Sequence, residues 1–188
     1  EPEDWLTLKK CSCHEGSLHR ELASLELLLQ KVKGEDVPVV FTVFSPATTA
    51  DKLSGKKMLS HIRSGHGEMV KKALEIITET TMEVAAEAIR LGADGIFFAS
   101  QMSSYDTMTA EEYMEYGRPY DLRVLEAAGD GWLNTLHAHG NNIMFEVLKD
   151  YPVSVFNWHA WETLPDLDEA FCLTGKCLMG GLQRMDIT

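Results

Sequence analysis

The sequence has 188 residues, of which 45% are apolar and 24% are charged, and these proportions are ordinary for a globular protein with a substantial core. Seventeen Lys and Arg residues against 29 Asp and Glu residues leave a formal net charge of −12. Such a surface repels nucleic acid and anionic membranes, so we expect neither as a general partner. No apolar run approaches the roughly 20 residues that cross a bilayer.

The first residues and the cysteines carry no sign of export. The first ten residues, EPEDWLTLKK, resemble neither a signal peptide nor a transit peptide. Cys11 and Cys13 are too close in sequence for an easy mutual disulfide, and Cys172 and Cys177 lie far from them. We therefore expect reduced thiols and a cytoplasmic protein.

Helices and short apolar strands alternate along the chain. Leucines at helical spacing in residues 17–36 predict a first helix that stops near Gly34. The run VPVVFTVF, residues 37–44, is rich in β-branched and aromatic residues and predicts a buried strand. Further helices are predicted over 68–92, 110–128, 142–150 and 164–175, and further strands over 94–100, 131–140, 153–160 and 176–182.

This alternation predicts an α/β fold with a parallel sheet and right-handed crossovers. Two architectures fit, an open doubly wound sheet and part of a TIM (β/α)8 barrel. No strand is followed by G-x-G-x-x-G, the fingerprint of dinucleotide-binding sheets. A complete barrel usually takes about 250 residues and eight strands, whereas five strands are predicted among these 188 residues. A barrel assignment therefore predicts a partial barrel.

Polar residues concentrate where the predicted strands end. In either architecture, ligands bind at the carboxyl ends of parallel strands. The residues at these ends are Ser45, Pro46, Ser100, Gln101, His137, His139, Asn157, His159, Gly180, Gly181 and Gln183. A purely structural scaffold does not need such a rim, so we expect a functional pocket there. Ser100 fits either a cap for the following turn or a hydrogen bond to a substrate.

The sequence TLHAHGNN places His137 and His139 on the same side of the third predicted strand. Imidazole is a good zinc ligand, and two residues on one face of a strand can share a metal. A catalytic zinc needs a third protein ligand, which His159, Cys172, Cys177 or a residue outside this sequence would supply. Hydrogen bonding or proton transfer on an organic substrate, and a structural strand end, remain open alternatives. The segment CSCH, residues 11–14, has metal-binding residue types but no second cluster.

The assembled segments resemble the uroporphyrinogen decarboxylase superfamily. The resemblance rests on VPVVFTVFSPATTADKLSG, LGADGIFFAS, HAHGN, VFNWHA and GKCLMGGLQ, in that order and spacing. It implies a (β/α)8 barrel of which this sequence covers a central stretch. It also implies one domain over residues 1–188, with a helical lead-in over 1–36 and βα repeats over 37–188.

The superfamily has two well-known kinds of member. Its decarboxylases remove carboxyl groups from a tetrapyrrole without metal or organic cofactor. Its other members transfer methyl groups between a corrinoid and a thiol. They use a zinc ion held by a His-x-Cys pair at a strand end and by a later cysteine.

The resemblance assigns residues to both activities. Ser100 falls on the substrate-contacting serine of the decarboxylases, and Asn157 falls where they have aspartate. Lys52 takes the place of their tyrosine and is positioned to hold a carboxylate. His137 and His139 fall on the histidine and the cysteine of the methyltransferase zinc pair. No catalytic residue is assigned.

Three hypotheses follow. The main one is a carboxy-lyase that needs no cofactor and acts on a tetrapyrrole or a related carboxylated substrate, with Ser100, Lys52, His137 and Asn157 contacting it. The alternative is a zinc-dependent methyltransferase with His137 and His139 as metal ligands and a corrinoid protein as partner. The third is an inactive barrel fragment. Because a half-open parallel sheet has apolar edges, it favours homo-oligomers.

Overall fold

Five strands form one parallel sheet in a computed structural model that describes residues 1–183. Strands β1–β5 are Val40–Phe44, Gly95–Ser100, Thr135–Ala138, Val155–Trp158 and Cys177–Met179. Helices α1–α8 are Gly16–Lys31, Pro46–Leu53, Met58–His61, Gly67–Leu91, Ala110–Tyr116, Arg118–Ala127, Phe145–Leu148 and Leu167–Thr174. A 3₁₀ helix at Pro2–Thr7 precedes α1, and a π-type turn at Ile62–His66 joins α3 to α4.

The strands lie side by side in the order β1-β2-β3-β4-β5, the order in which they occur along the chain. A doubly wound sheet reverses its order at a switch point, and no such reversal occurs among residues 1–183. Sequential parallel strands with crossover helices are the arrangement of a (β/α)8 barrel. The predicted α/β class and partial barrel are therefore confirmed.

Several predicted elements differ in extent from those of the structure. The third strand was predicted over 131–140 but comprises four residues. Its predicted start is a loop tied down by Asn134, whose side chain accepts from the Ile96 amide and donates to the Ala128 carbonyl. The helix predicted over 110–128 is divided at Gly117, where a Cβ would meet the Tyr113 ring at 2.5 Å.

Helix α2 was not predicted, although its start carries two ordinary signals. The Ser45 side chain accepts from the Thr48 amide as an N-cap, and Pro46 follows at the first helical position. The long helix predicted over 68–92 is confirmed as α4, Gly67–Leu91.

The main core lies between one face of the sheet and the helices. Phe98, Leu136 and Phe156, from the three central strands, are almost fully buried there. Leu74 on α4 and Val124 on α6 belong to the same cluster. The opposite face of the sheet is therefore the one that can carry a site.

Within residues 1–183 no helix is both long and apolar enough to cross a membrane.

Candidate metal centre

One row of residues crosses the whole sheet at the level of the strand ends. The register pairs Phe44 with Ala99, Ala99 with His137, His137 with Asn157, and Asn157 with Met179. Paired residues of neighbouring strands project to the same face of a sheet. Their side chains therefore project away from the core formed by the neighbouring row.

Three histidines converge at this level of the sheet, and one of them, His137, belongs to the row. His137 lies on β3, and His139 and His159 lie just beyond the ends of β3 and β4. One ligand atom from each ring lies within 4.8 Å of the other two. His137 Nε2 and His139 Nδ1 are 3.4 Å apart. Two nitrogen ligands of one tetrahedral zinc, each about 2.0–2.1 Å from the metal, lie about 3.3–3.4 Å apart. The donor types and the spacing of the His137–His139 pair therefore fit a zinc ion, and the ligand atom of His159 lies within 4.8 Å of both.

Two contacts hold the His137 ring. Phe97 stacks on it with ring centroids 5.4 Å apart and planes inclined by 22°. At the edge of the ring, His137 Nδ1 lies 2.6 Å from Asn157 Oδ1. Burial lowers the pKa of His137, which favours the neutral imidazole that binds metals.

A cavity of about 160 Å³ opens beside the histidines. The residues that line it are His137, Asn157, Trp158, His159, Trp161, Glu162, Gly180 and Leu182. Glu162 Oε2 lies 3.8 Å from His159 Nδ1, so a carboxylate stands next to a candidate ligand. Trp161 donates its indole N–H to the Gly181 carbonyl at 3.0 Å, which links the segment after β4 to the segment after β5. The lining residues that the structure describes include no Lys or Arg.

The side chains of Ser100 and Lys52 do not line the cavity beside the histidines, although the Ser100 carbonyl accepts from the His139 amide at 2.9 Å. The Ser100 side chain is fully buried, and its Oγ lies 3.3 Å from the hydroxyl of Tyr113. Lys52, on α2, has its Nζ 5.0 Å from the centre of the Phe44 ring and is not part of the cavity lining. Their predicted contacts with a substrate stay predictions.

Of the residues considered as a third ligand, the structure brings His159 to the pair. Cys172 lies on α8 and lines a separate cleft. Sequence reasoning did not single out Phe97, Trp161 or Glu162. Phe97 alternates with buried Phe98 along β2, but only the strand pairing shows that it lies against His137.

A second group of metal-binding residue types, Cys13, His14 and Glu83, joins the lead-in to α4. The Glu83 carboxylate accepts from the Cys13 amide at 3.1 Å and pairs with Lys10 at 3.0 Å. Burial raises the pKa of the Cys13 thiol to about 11, so it remains protonated at neutral pH. We interpret this group as a hydrogen-bonded anchor of the lead-in rather than a metal site.

Sequential parallel βα units with a polar rim at the strand ends define the chain as a barrel-type α/β protein. Within that class, a family model described as uroporphyrinogen decarboxylase (URO-D) matches residues 1–186. The chain therefore belongs to the uroporphyrinogen decarboxylase family, as its segments predicted.

Curated relatives of the chain are methyltransferases. The methylcobamide:CoM methyltransferase MtbA of Methanosarcina acetivorans is 26% identical over 140 residues, which are 74% of this chain and 41% of the relative. MtbA of Methanosarcina mazei is 25% identical over the same shares of both chains. The chain thus spans about two fifths of the length of these curated relatives.

A solved structure described as a methyltransferase from Methanosarcina mazei shares the fold. Its TM-score is 0.74 at 21% identity, and the match covers 88% of this chain and 49% of that one. The family and fold predictions are confirmed by these comparisons. The decarboxylase hypothesis gains nothing specific from them, because the named relatives carry the alternative activity.

Proposed function

We propose that this chain carries the zinc centre of a methyltransferase that moves a methyl group between a corrinoid and a thiol. The observation that carries the proposal is the convergence of His137, His139 and His159 at the strand ends. The relatives' activity, methyl transfer from a methylcobamide to the thiol CoM, agrees in kind with this donor set. The corrinoid would be presented by a partner protein.

The three histidines and the residues around them would have separate roles. A zinc ion held there would lower the pKa of a thiol ligand, so that the thiolate is available at neutral pH. Asn157 and Phe97 hold the His137 ring in place. Trp161 and Leu182 give the cavity an apolar wall that suits the carbon chain of a small thiol. In the proposed transfer, a sulfur–carbon bond would form as the carbon–cobalt bond of the corrinoid substrate breaks, and the electron pair of the broken bond would stay on the cobalt.

The charge around the cavity supports the methyltransferase over the decarboxylase. A tetrapyrrole substrate of the decarboxylases carries several carboxylates, which need cationic partners. Among residues 1–183, the cavity lining contains Glu162 and neither Lys nor Arg. The net charge of −12 adds a repulsive field. The metal-free carboxy-lyase has family membership in its favour, and two of its predicted substrate contacts, His137 and Asn157, line the cavity, but a cationic partner for the substrate carboxylates is not among the described lining residues.

The test is methyl transfer from methylcobalamin to coenzyme M by the zinc-loaded protein, followed through the absorbance of methylcobalamin. We expect a rate that depends on protein, thiol and zinc, and that is lost in His137→Ala. The control is His19→Ala, which removes an exposed imidazole on α1. A rate that survives complete removal of zinc by a chelator would contradict the proposal. So would a zinc-loaded protein that transfers no methyl group.

A further inference from the structure

The side-chain amide of Asn157 bridges the two strands on either side of it. Its Nδ2 lies 2.6 Å from the Met179 carbonyl oxygen on β5, and its Oδ1 lies 2.6 Å from His137 Nδ1 on β3. The register aligns all three residues in one row across the sheet, so the side-chain amide of Asn157 lies between its two partners. Each polar atom of the amide thus has a protein partner.

The orientation of this amide follows from the chemistry of Met179. A backbone carbonyl can only accept a hydrogen bond, so the group that faces it must be the Asn157 NH₂. The amide oxygen must then face His137. Because that oxygen can also only accept, His137 Nδ1 must carry the hydrogen. In a neutral imidazole the lone pair is then on Nε2, the atom 3.4 Å from His139 Nδ1.

We propose that Asn157 is a positioning residue that selects the Nδ1–H tautomer of His137 and so directs the Nε2 lone pair into the metal centre. This inference rests on the metal centre of the proposed function. It gives Asn157 a role other than the substrate contact predicted from the resemblance. Partners of this kind orient metal-binding histidines and make them better ligands.

Stacking on Phe97 cannot replace this selection. The ring contact fixes the plane of the imidazole, with 22° between the two planes. It is indifferent to which ring nitrogen carries the hydrogen, because both lie in that plane. Among the His137 contacts described here, only the one with Asn157 distinguishes Nδ1 from Nε2 by donor and acceptor chemistry.

The first experiment reads the tautomer directly in metal-free protein, from ¹H–¹⁵N correlations of the His137 ring nitrogens. We expect the Nδ1–H form in the wild type and in Asn157→Asp, which keeps an oxygen acceptor. In Asn157→Leu, which keeps the volume and removes the acceptor, we expect that preference to be lost. An Nε2–H form in the wild type would overturn the proposal without reference to any variant. An unchanged Nδ1–H form in a folded Asn157→Leu protein would overturn it as well.

The second experiment measures zinc affinity by competition with a chromophoric chelator. We expect Asn157→Leu to bind zinc about 10–100-fold more weakly and Asn157→Asp to bind at least as tightly as the wild type. Gln30→Leu, the same kind of change at an exposed position on α1, should bind like the wild type. Circular dichroism of each variant establishes that it is folded.

The two experiments separate this inference from the proposed function. If the wild type binds no zinc, the proposed function fails, while the tautomer of His137 still decides the role of Asn157. If zinc binds and Asn157→Leu binds it as tightly as the wild type, the positioning role fails and the metal centre stands.

Discussion

Ser100, at the end of β2, and His137, one residue before the end of β3, point to opposite faces of the sheet. The register pairs Ser100 with Ala138, one residue beyond His137. Since side chains alternate along a strand, Ser100 lies on the core face and His137 on the face that carries the cavity. The two side chains therefore lie in different environments: Ser100 in a buried polar network and His137 in the candidate metal centre.

Replacing Ser100 tests this separation. We expect Ser100→Ala to lower the free energy of unfolding by about 1 kcal/mol, because it removes a hydroxyl from the buried contact with Tyr113. Zinc content should not change, since the side chain lies on the other face. Urea unfolding and elemental analysis of the same preparations measure both quantities. A loss of zinc in a folded Ser100→Ala protein would show that the two faces are coupled.

The histidines predict a definite zinc stoichiometry. We expect about one zinc per chain in protein purified without chelators, and a large loss in His137→Ala, His139→Ala and His159→Ala alike. Elemental analysis measures the content, and His19→Ala serves as the control because it removes an exposed imidazole far along the sequence. Retention of zinc in His159→Ala alone would mean that the third ligand is another residue. Retention in all three variants would place the metal elsewhere.

Asp121 predicts a pH dependence of stability. Its carboxylate is fully buried and accepts from the hydroxyls of Tyr113 at 2.6 Å and Tyr151 at 3.1 Å. Burial raises its pKa from 3.8 to about 7, because the low dielectric penalises the charge more than the two hydroxyls offset. The folded state therefore binds a proton more tightly than the unfolded state.

The sign of the effect follows from this raised pKa. The stabilisation that protonated Asp121 gives the folded state is fully present below about pH 4. It is lost as the pH rises through about 7. Asp121→Asn has no such titration. The difference in unfolding free energy, wild type minus Asp121→Asn, should therefore fall by an amount of the order of 4 kcal/mol between pH 4 and pH 8. Urea unfolding at both pH values measures it, with exposed Asp130→Asn as the control. A pH-independent difference would contradict the raised pKa.

Cys13, in the anchor of the lead-in, should differ in reactivity from the three exposed cysteines. Cys13 is buried, whereas Cys11, Cys172 and Cys177 are exposed. Because the thiolate is the reactive form, the raised pKa of Cys13 slows it further. We expect three thiols to react quickly with a disulfide reagent at pH 8 and the fourth to react only after unfolding.

The matched variant for this measurement is Cys13→Ser. It should leave the fast phase unchanged and remove the slow one. Fast reaction of all four thiols in the folded protein would mean that the lead-in does not hold Cys13 against Glu83.

Local pattern was sufficient for much of the fold. The apolar runs of β1 and β2 and the long amphipathic α4 carry their periodicity within a few residues, so their positions and types were predictable. The short β3 was not, because it depends on the Asn134 hydrogen bond to Ile96 on another strand. The split at Gly117 was not either, because it depends on where the packing of the core places the Tyr113 ring. Helix α2 was predictable from Ser45 and Pro46 and was missed.

The sequence by itself determined the parallel βα order, the polar rim and the pairing of His137 with His139, since spacing of two along a strand places them on one side. Tertiary structure decided which residues join them. His159 and Asn157 reach the site because β4 pairs with β3 in one particular register, and a shift of one residue would turn Asn157 into the core. That register is set by the packing of Phe98, Leu136 and Phe156 against the helices, a set of long-range contacts that no local pattern encodes.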